Sequence, residues 1–208
     1  MIEFQRIGLT FDDKQVFRDF SLQVATGEKV LIAGKSGVGK TTLLRLILGW
    51  VRPDSGKIFV DGDPINAENI WNIRRRTAYI AQGLEIGRGP VQQLIDRIFS
   101  FHANHHLDRD PERTHEILHS LELQSTILTE PYERLSGGEK QRIAILISLL
   151  LSRTCFLLDE ATAALDGELK EKVVELFMSR PDTTVLAVSH DPAWTDHPAV
   201  RTVTLAGK

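Results

Sequence analysis

The run Gly34-Lys35-Ser36-Gly37-Val38-Gly39-Lys40-Thr41 sets glycines at its first, fourth and sixth positions and closes on a lysine and a hydroxyl. It follows the apolar stretch Val30-Leu31-Ile32-Ala33 and precedes the helical spacing Leu43, Leu44, Ile47, Leu48, which Gly49 ends. Strand, glycine-rich loop and helix in that order are the context that makes a P-loop credible. Glycines let backbone N–H groups turn inward onto phosphate oxygens, and the helix N-terminus adds partial positive charge. Lys40 then has the reach for β- and γ-phosphates, and Thr41 offers a hydroxyl to Mg²⁺.

A second element, Phe156-Leu157-Leu158-Asp159-Glu160, is an apolar strand ending in two carboxylates. An acid at such a strand end holds Mg²⁺ through its water shell, the role that fits Asp159. Glu160, one residue on, is expected to reach towards the γ-phosphate and to orient or deprotonate the attacking water.

The third element is Leu135-Ser136-Gly137-Gly138-Glu139-Lys140-Gln141-Arg142, leading into the apolar helix Ile143–Leu151. It is a second Ser/Gly-rich helix start, hence a second anion-binding end in one chain. Two glycines weaken a helix start unless something must approach the backbone closely. One ATP does not readily lie against two such ends far apart in one domain. A head-to-tail pair of chains solves this, with the loop of one and the Ser-Gly-Gly end of its twin enclosing each ATP about a two-fold axis.

With these three elements the chain resembles the ATP-binding subunits of the ABC ATPase superfamily over nearly its whole length. Gly34–Thr41 looks like Walker A, Leu158-Asp159-Glu160 like the end of Walker B, and Leu135–Arg142 like the signature motif. Three more elements match in order. Gln82, after Ala78-Tyr79-Ile80-Ala81, looks like the Q-loop glutamine that senses Mg²⁺ and the attacking water. His190, after Val185–Val188, looks like the switch histidine that contacts the γ-phosphate, and Ala164-Leu165-Asp166 like the D-loop that touches the opposite subunit. Phe11 is placed like the aromatic that stacks on adenine, usually tyrosine in the family.

The resemblance implies ATP and Mg²⁺ as cofactors. It implies nucleotide contacts from Phe11, Gly34, Lys35, Ser36, Gly37, Val38, Gly39, Lys40, Thr41 and Thr42, and from Ser136, Gly137 and Gly138 of the twin. It implies metal contacts from Thr41, Gln82 and Asp159, and catalytic roles for Glu160, His190 and Gln82. The departures are Lys35 and Ala161, where proline is common, and Ala163, which replaces the usual D-loop serine and bears on coupling between the two sites. Glu160 and His190 are both present, so hydrolysis of ATP to ADP and phosphate is expected.

The elements that must position these residues follow from pattern. The first third reads as short strands and turns: Ile2–Ile7 alternates, Ser21–Val24 does so again, and Lys57–Asp61 resembles a hairpin arm after the turn Pro53–Gly56. The middle is helical, and Asp110-Pro111 pairs an N-cap acid with proline at the first helical position. The last third alternates strand and helix, which implies a parallel sheet covered on both faces. The expected fold is α/β: a P-loop NTPase (RecA-like) core, about 1–83 and 152–208, with an N-terminal antiparallel β subdomain and an inserted α-helical subdomain, about 84–151.

Composition narrows the partners. The chain has 208 residues, 42% hydrophobic and 25% charged, with a formal net charge of −3. That balance is ordinary for a globular protein. It lacks the clustered basic excess of a nucleic-acid binder, so no nucleic-acid partner is expected. The lone Cys155 points to no disulfide, and the N-terminus shows no secretory pattern. The longest apolar stretch, Ile143–Leu151, falls far short of the roughly 20 residues that span a bilayer. These features lead to the expectation of a cytoplasmic protein; the family resemblance implies that it is peripheral at the inner face of the plasma membrane through an integral permease, with Gly83–Gln93 as the candidate docking loop.

Competing readings each lack a feature. A DNA-repair or chromosome ATPase would need coiled-coil arms, a nucleoside kinase has no use for Leu135–Arg142, and a GTPase needs an Asn-Lys-x-Asp motif. A non-hydrolysing regulator would lack Glu160 or His190. Within the family, Ile127-Leu128-Thr129 and the stretch from signature to D-loop look most like bacterial iron-export subunits, with amino-acid, lipoprotein and metal-import subunits nearly alike. The histidines His102, His105 and His106, with His115 and His119, are read as exposed helical residues, since no acid or cysteine pattern completes a metal site. Arg74-Arg75-Arg76 is read as a solvated basic edge.

Overall fold

The computed structural model describes residues 1–83 and 85–206; Leu84, at the expected start of the helical insertion and inside the candidate docking loop, lies outside the described residues. Two sheets share the chain. The antiparallel sheet holds β1 (Ile2–Phe11), β2 (Lys14–Val24), β4 (Ser55–Val60) and β5 (Asp63–Pro64) in the order β2-β1-β4-β5. The parallel sheet holds β3 (Lys29–Ala33), β6 (Thr77–Ile80), β7 (Cys155–Asp159), β8 (Thr184–Val188) and β9 (Val200–Thr204) in the order β6-β7-β8-β3-β9.

Helix α1 (Lys40–Ile47) lies between the two sheets. Its Leu43, Leu44, Leu46 and Ile47 pack against Ile2, Phe4 and Ile7 of β1 and against one face of the parallel sheet, through Ile32, Leu157, Leu186 and Val188. The other face, through Leu31, Phe156, Leu158, Val185 and Ala187, meets α5 (Gly137–Leu150) and α6 (Gly167–Met178). Both faces are covered, so β7 and β8 are buried at every residue, in keeping with the apolar runs Cys155–Leu158 and Val185–Val188. The remaining helices are α2 (Ile70–Arg76), α3 (Val91–Ser100), α4 (Pro111–Ser120) and α7 (Pro192–Thr195). Helices α3 to α5 lie between β6 and β7, with Asp110 capping α4 through the Glu112 N–H at 2.9 Å.

The first two strands run longer than their alternation suggests. Buried residues in β1 fall at Ile2, Phe4, Ile7 and Leu9, so the period of two breaks once. The break is a bulge: pairing with β2 and β4 shifts register after Phe4 and Gln5, and Arg6 takes φ 49°. Across from it Gly56 sits at φ 87°, where a Cβ would stand 2.4 Å from the Gln5 carbonyl oxygen. For this reason β4 begins at Ser55, inside the expected turn.

Of the three arginines only Arg75 is exposed at the surface as expected; Arg74 and Arg76 are held by other elements. Arg74 donates to the Leu48 carbonyl through Nε at 2.9 Å and Nη2 at 2.8 Å, closing the end of α1. Arg76 pairs with Asp63 at 2.6 Å. Helix α1 stops in a Schellman turn, with Gly49 at φ 63°, its N–H on Leu46 and the Trp50 N–H on Arg45.

Candidate nucleotide site

Strand register brings the expected site to one edge. Asp159 of β7 pairs with Val188 of β8, and Val188 pairs with Ile32 of β3. The chain leaves these strands at Gly34, Glu160 and Ser189-His190, so three separate segments reach the crevice at the carboxyl ends of a parallel sheet, where ligands bind in such folds.

In the loop, Gly34, Gly37 and Gly39 take φ 144°, 75° and 110°, values that disfavour any side chain. A Cβ on Gly37 would meet nothing within 4 Å, so the loop encloses open space rather than its own packing. Lys40 is only 8% exposed, and its ammonium donates to the carbonyl oxygens of Gly34 at 2.8 Å and Lys35 at 3.1 Å, arching over the loop. Lys35 and Ser36 are exposed, and Val38 and Thr42 half-buried. A Cβ on Gly39 would stand 2.6 Å from Val16 Cγ1 and 3.1 Å from Phe17 Cζ, so the loop is seated on β2. Gly39→Ala is expected to weaken ATP binding at least tenfold and lower the melting temperature, given about 1–2 kcal/mol for the backbone alone and the clash besides. Titration with a fluorescent ATP analogue checks this; an unaltered affinity contradicts it.

Alternation along β7 sends Cys155 and Leu157 towards α1, and Asp159, two residues further, follows them to the first turn of that helix. Asp159 Oδ1 accepts from Thr41 Oγ1 at 2.9 Å, and Oδ2 accepts from the Tyr79 hydroxyl at 3.1 Å. Burial first, then the Asp159 charge, push the Tyr79 phenol up to about 12. Tyr79 did not emerge from sequence. Its signal is strand order: it pairs with Leu157 and so shares the face of Asp159, and a half-buried phenol needs a partner.

Glu160 has φ 53°, in the left-handed region, and its N–H donates to the Val188 carbonyl at 2.9 Å. The side chain therefore leaves the alternation of the strand and lies 3.8 Å from His190 Nε2. Burial raises the Glu160 carboxyl above its usual range, with His190 and Lys40 pulling the other way. Asp191, next to His190, pairs with Lys170 of α6 at 2.8 Å. Gln82 is exposed on the turn just past β6, the strand beside β7. Phe11, 43% exposed, ends β1 at a hairpin whose Lys14 Nζ reaches the Gly37 carbonyl at 3.5 Å. That contact sets the hairpin beside the loop.

Ser136, Gly137 and Gly138 are elsewhere. Among the described residues, neither hydrogen bond nor ion pair joins them to Gly34–Thr42. Ser136 caps α5 in a reciprocal box: Oγ accepts from the Glu139 N–H at 3.3 Å, and the Ser136 N–H donates to Glu139 Oε2 at 2.8 Å. Among the described residues no acceptor meets the Gly137 and Gly138 N–H groups, which leaves them as the open donors of this helix end. A Cβ on Gly137 would meet nothing within 4 Å, so no packing inside the chain calls for glycine there.

The donor set fits a nucleoside triphosphate with Mg²⁺. The loop is a cradle with a buried ammonium, and Thr41 and Asp159 set two hard oxygens 2.9 Å apart, the ligand type Mg²⁺ prefers. No group of three His, Cys, Asp or Glu suited to a metal occurs among the described residues, and His102, His105 and His106, expected on a helix, lie in the turns that follow α3.

Fold and site together define a P-loop NTPase domain. More narrowly, the chain belongs to the ABC transporter family, whose sequence model matches residues 17–163. It is 30% identical over 203 residues to the energy-coupling factor transporter ATP-binding protein EcfA1 of Oceanobacillus iheyensis, covering 92% of this chain and 70% of that protein. It is 30% identical over 208 residues to "Probable iron export ATP-binding protein FetA" of Escherichia coli, covering 99% and 91%. An ATP-binding cassette solved as a dimer in a post-hydrolysis state with ADP and Pi superposes with TM-score 0.78 at 25% identity, over 92% of this chain and 88% of that one. No helix among the described residues is long and apolar enough to cross a membrane.

Proposed function

We propose that this chain is the ATP-binding and hydrolysing subunit of an ABC transporter, working as a head-to-tail homodimer beneath a separate membrane permease. The observation that carries the reading is the division of its two anion-binding ends. The loop Gly34–Thr42 and the open N–H groups of Gly137 and Gly138 belong to one chain yet share no bond. A second copy supplies what each site lacks.

In the closed pair Lys40 binds the β- and γ-phosphates and Phe11 stacks on adenine. Thr41, Asp159 and Gln82 would hold Mg²⁺, which would supply positive charge to offset that of the phosphates. Glu160 takes a proton from the attacking water onto its carboxylate, and His190 orients the γ-phosphate. Ser136, Gly137 and Gly138 of the twin meet the same phosphate. Hydrolysis to ADP and phosphate removes the group both halves hold, and the pair reopens.

The route to a permease is supported by the segment after Gln82. The Gly89 N–H donates to Glu133 Oε2 at 2.9 Å, the Tyr132 N–H to the Gly89 carbonyl at 2.9 Å, and Lys140 pairs with Glu85 at 3.0 Å. Glu85 and Gly89 of the expected docking loop are thereby tied to the stretch around Ser136, so a permease helix pressing on them would move the signature end. In this reading the subunit works at the inner face of the plasma membrane, held there by the permease. A second reading of cargo, metal export, rests on Ile127-Leu128-Thr129 and the likeness to FetA. Arg88→Glu is expected to abolish co-purification with the permease this subunit serves, while phosphate release by the free subunit stays within twofold. Retained co-purification contradicts the docking loop.

A further inference from the structure

Asp159 is held at both oxygens, and only one of the two donors belongs to the phosphate loop. Oδ1 accepts from Thr41 and Oδ2 from Tyr79. The Arg45 side chain, in the last turn of α1, pulls the Tyr79 phenol the other way, against burial and the Asp159 charge. The Tyr79 ring meets the Trp50 ring edge-on, with centroids 5.2 Å apart and planes at 85°. Trp50 is 55% exposed, held outside the core by the Schellman turn at Gly49. A carboxylate with a donor on one oxygen still turns about its Cβ–Cγ bond. A donor on each oxygen stops it.

We propose that Tyr79 is a positioning residue whose hydroxyl locks the Asp159 carboxylate with Oδ1 facing Thr41 and the Mg²⁺, and that Trp50 steadies the ring carrying that hydroxyl. The inference rests on the reading of Asp159 as the Mg²⁺ acid. It adds a surface connection: Trp50, Tyr79 and Asp159 form a continuous path of contacts from solvent to the metal side of the site. Anything that displaces Trp50 loosens the carboxylate without touching the nucleotide.

The test uses Mn²⁺ in place of Mg²⁺, in a Glu160→Gln background that retains ATP. Binding of a fluorescent ATP analogue is measured first in EDTA; then Mn²⁺ is titrated, followed by its electron spin resonance and by dimer formation. Tyr79→Phe keeps the ring and loses only the hydroxyl. It is expected to raise the Mn²⁺ midpoint about tenfold, as for loss of a partner that orients a metal ligand, with nucleotide binding in EDTA and melting temperature unchanged. In the otherwise native chain the same variant raises the Mg²⁺ requirement for turnover and leaves kcat at saturating Mg²⁺ within twofold. A merely structural role would lower stability and kcat and leave the metal midpoint in place. Trp50→Ala, at an exposed position that cannot unfold the core, is expected to shift the midpoint the same way by less. A Tyr79→Phe midpoint within twofold of its parent overturns the proposal; an unmoved Trp50→Ala midpoint overturns its second clause. Failure to bind ATP in EDTA overturns the reading of the site itself, and it registers before metal is added.

Discussion

Glu160→Gln is expected to cut ATP turnover by about 10²–10⁴-fold, the usual cost of removing a general base, and to leave ATP-bound dimers that persist on size-exclusion chromatography with Mg-ATP. The substitution keeps the size of the side chain and its polar end, and removes the site that accepts a proton. It leaves the backbone at φ 53° and the bond from the Glu160 N–H to Val188 untouched. Asp159, Thr41 and Lys40 are equally undisturbed, so nucleotide and metal still bind. The dimer closes as before but lacks the step that reopens it. Phosphate release under saturating Mg-ATP is the measurement. Unchanged turnover would mean that Glu160 is not the base; lost turnover with no trapped dimer would mean that closure does not depend on the triphosphate.

Ser136→Arg separates the two halves of the site. The residue is exposed, so a larger side chain meets solvent in the single chain and the twin's nucleotide in the pair. Losing the cap costs about 1 kcal/mol, and α5 keeps nine buried residues that hold it in place. The single chain therefore folds and binds ATP at Gly34–Thr42 with near-native affinity. Pairing fails, and turnover falls by about 10²-fold or more, the effect of losing preorganised donors at a reacting oxyanion. Combined with Glu160→Gln, the substitution is expected to abolish the trapped dimer. A double variant that still dimerises with Mg-ATP would contradict the role of this helix end.

The site was legible in sequence wherever the chemistry depends on neighbours along the chain. The loop Gly34–Thr41 was recognisable by its fixed spacing, which consecutive N–H groups need if they are to share one phosphate, and Asp159-Glu160 ends a strand whose apolar run marks it as buried. The Ser136 cap and its Glu139 partner lie three residues apart, within one helical turn. What stayed hidden depends on which strands lie side by side. Tyr79 and Asp159 are eighty positions apart, and nothing local says that β6 lies next to β7. The bulge opposite Gly56 likewise joins two distant segments, so alternation alone shortened β1 and β2. Arg74 and Arg76 looked free for the same reason: their acceptors are the Leu48 carbonyl and Asp63, on other elements. The division of the anion-binding ends was visible as two motifs, and the structure adds that the Gly137 position faces open space.

The central claim is that one copy furnishes half of each reaction chamber. A structure of the Glu160→Gln chain grown with Mg-ATP tests it most directly. The expected result is two nucleotides, each lying between Gly34–Thr42 of one copy and Ser136–Gly138 of the other, related by a two-fold axis. A nucleotide fully enclosed by a single copy, with Ser136 of every copy facing solvent, would contradict it.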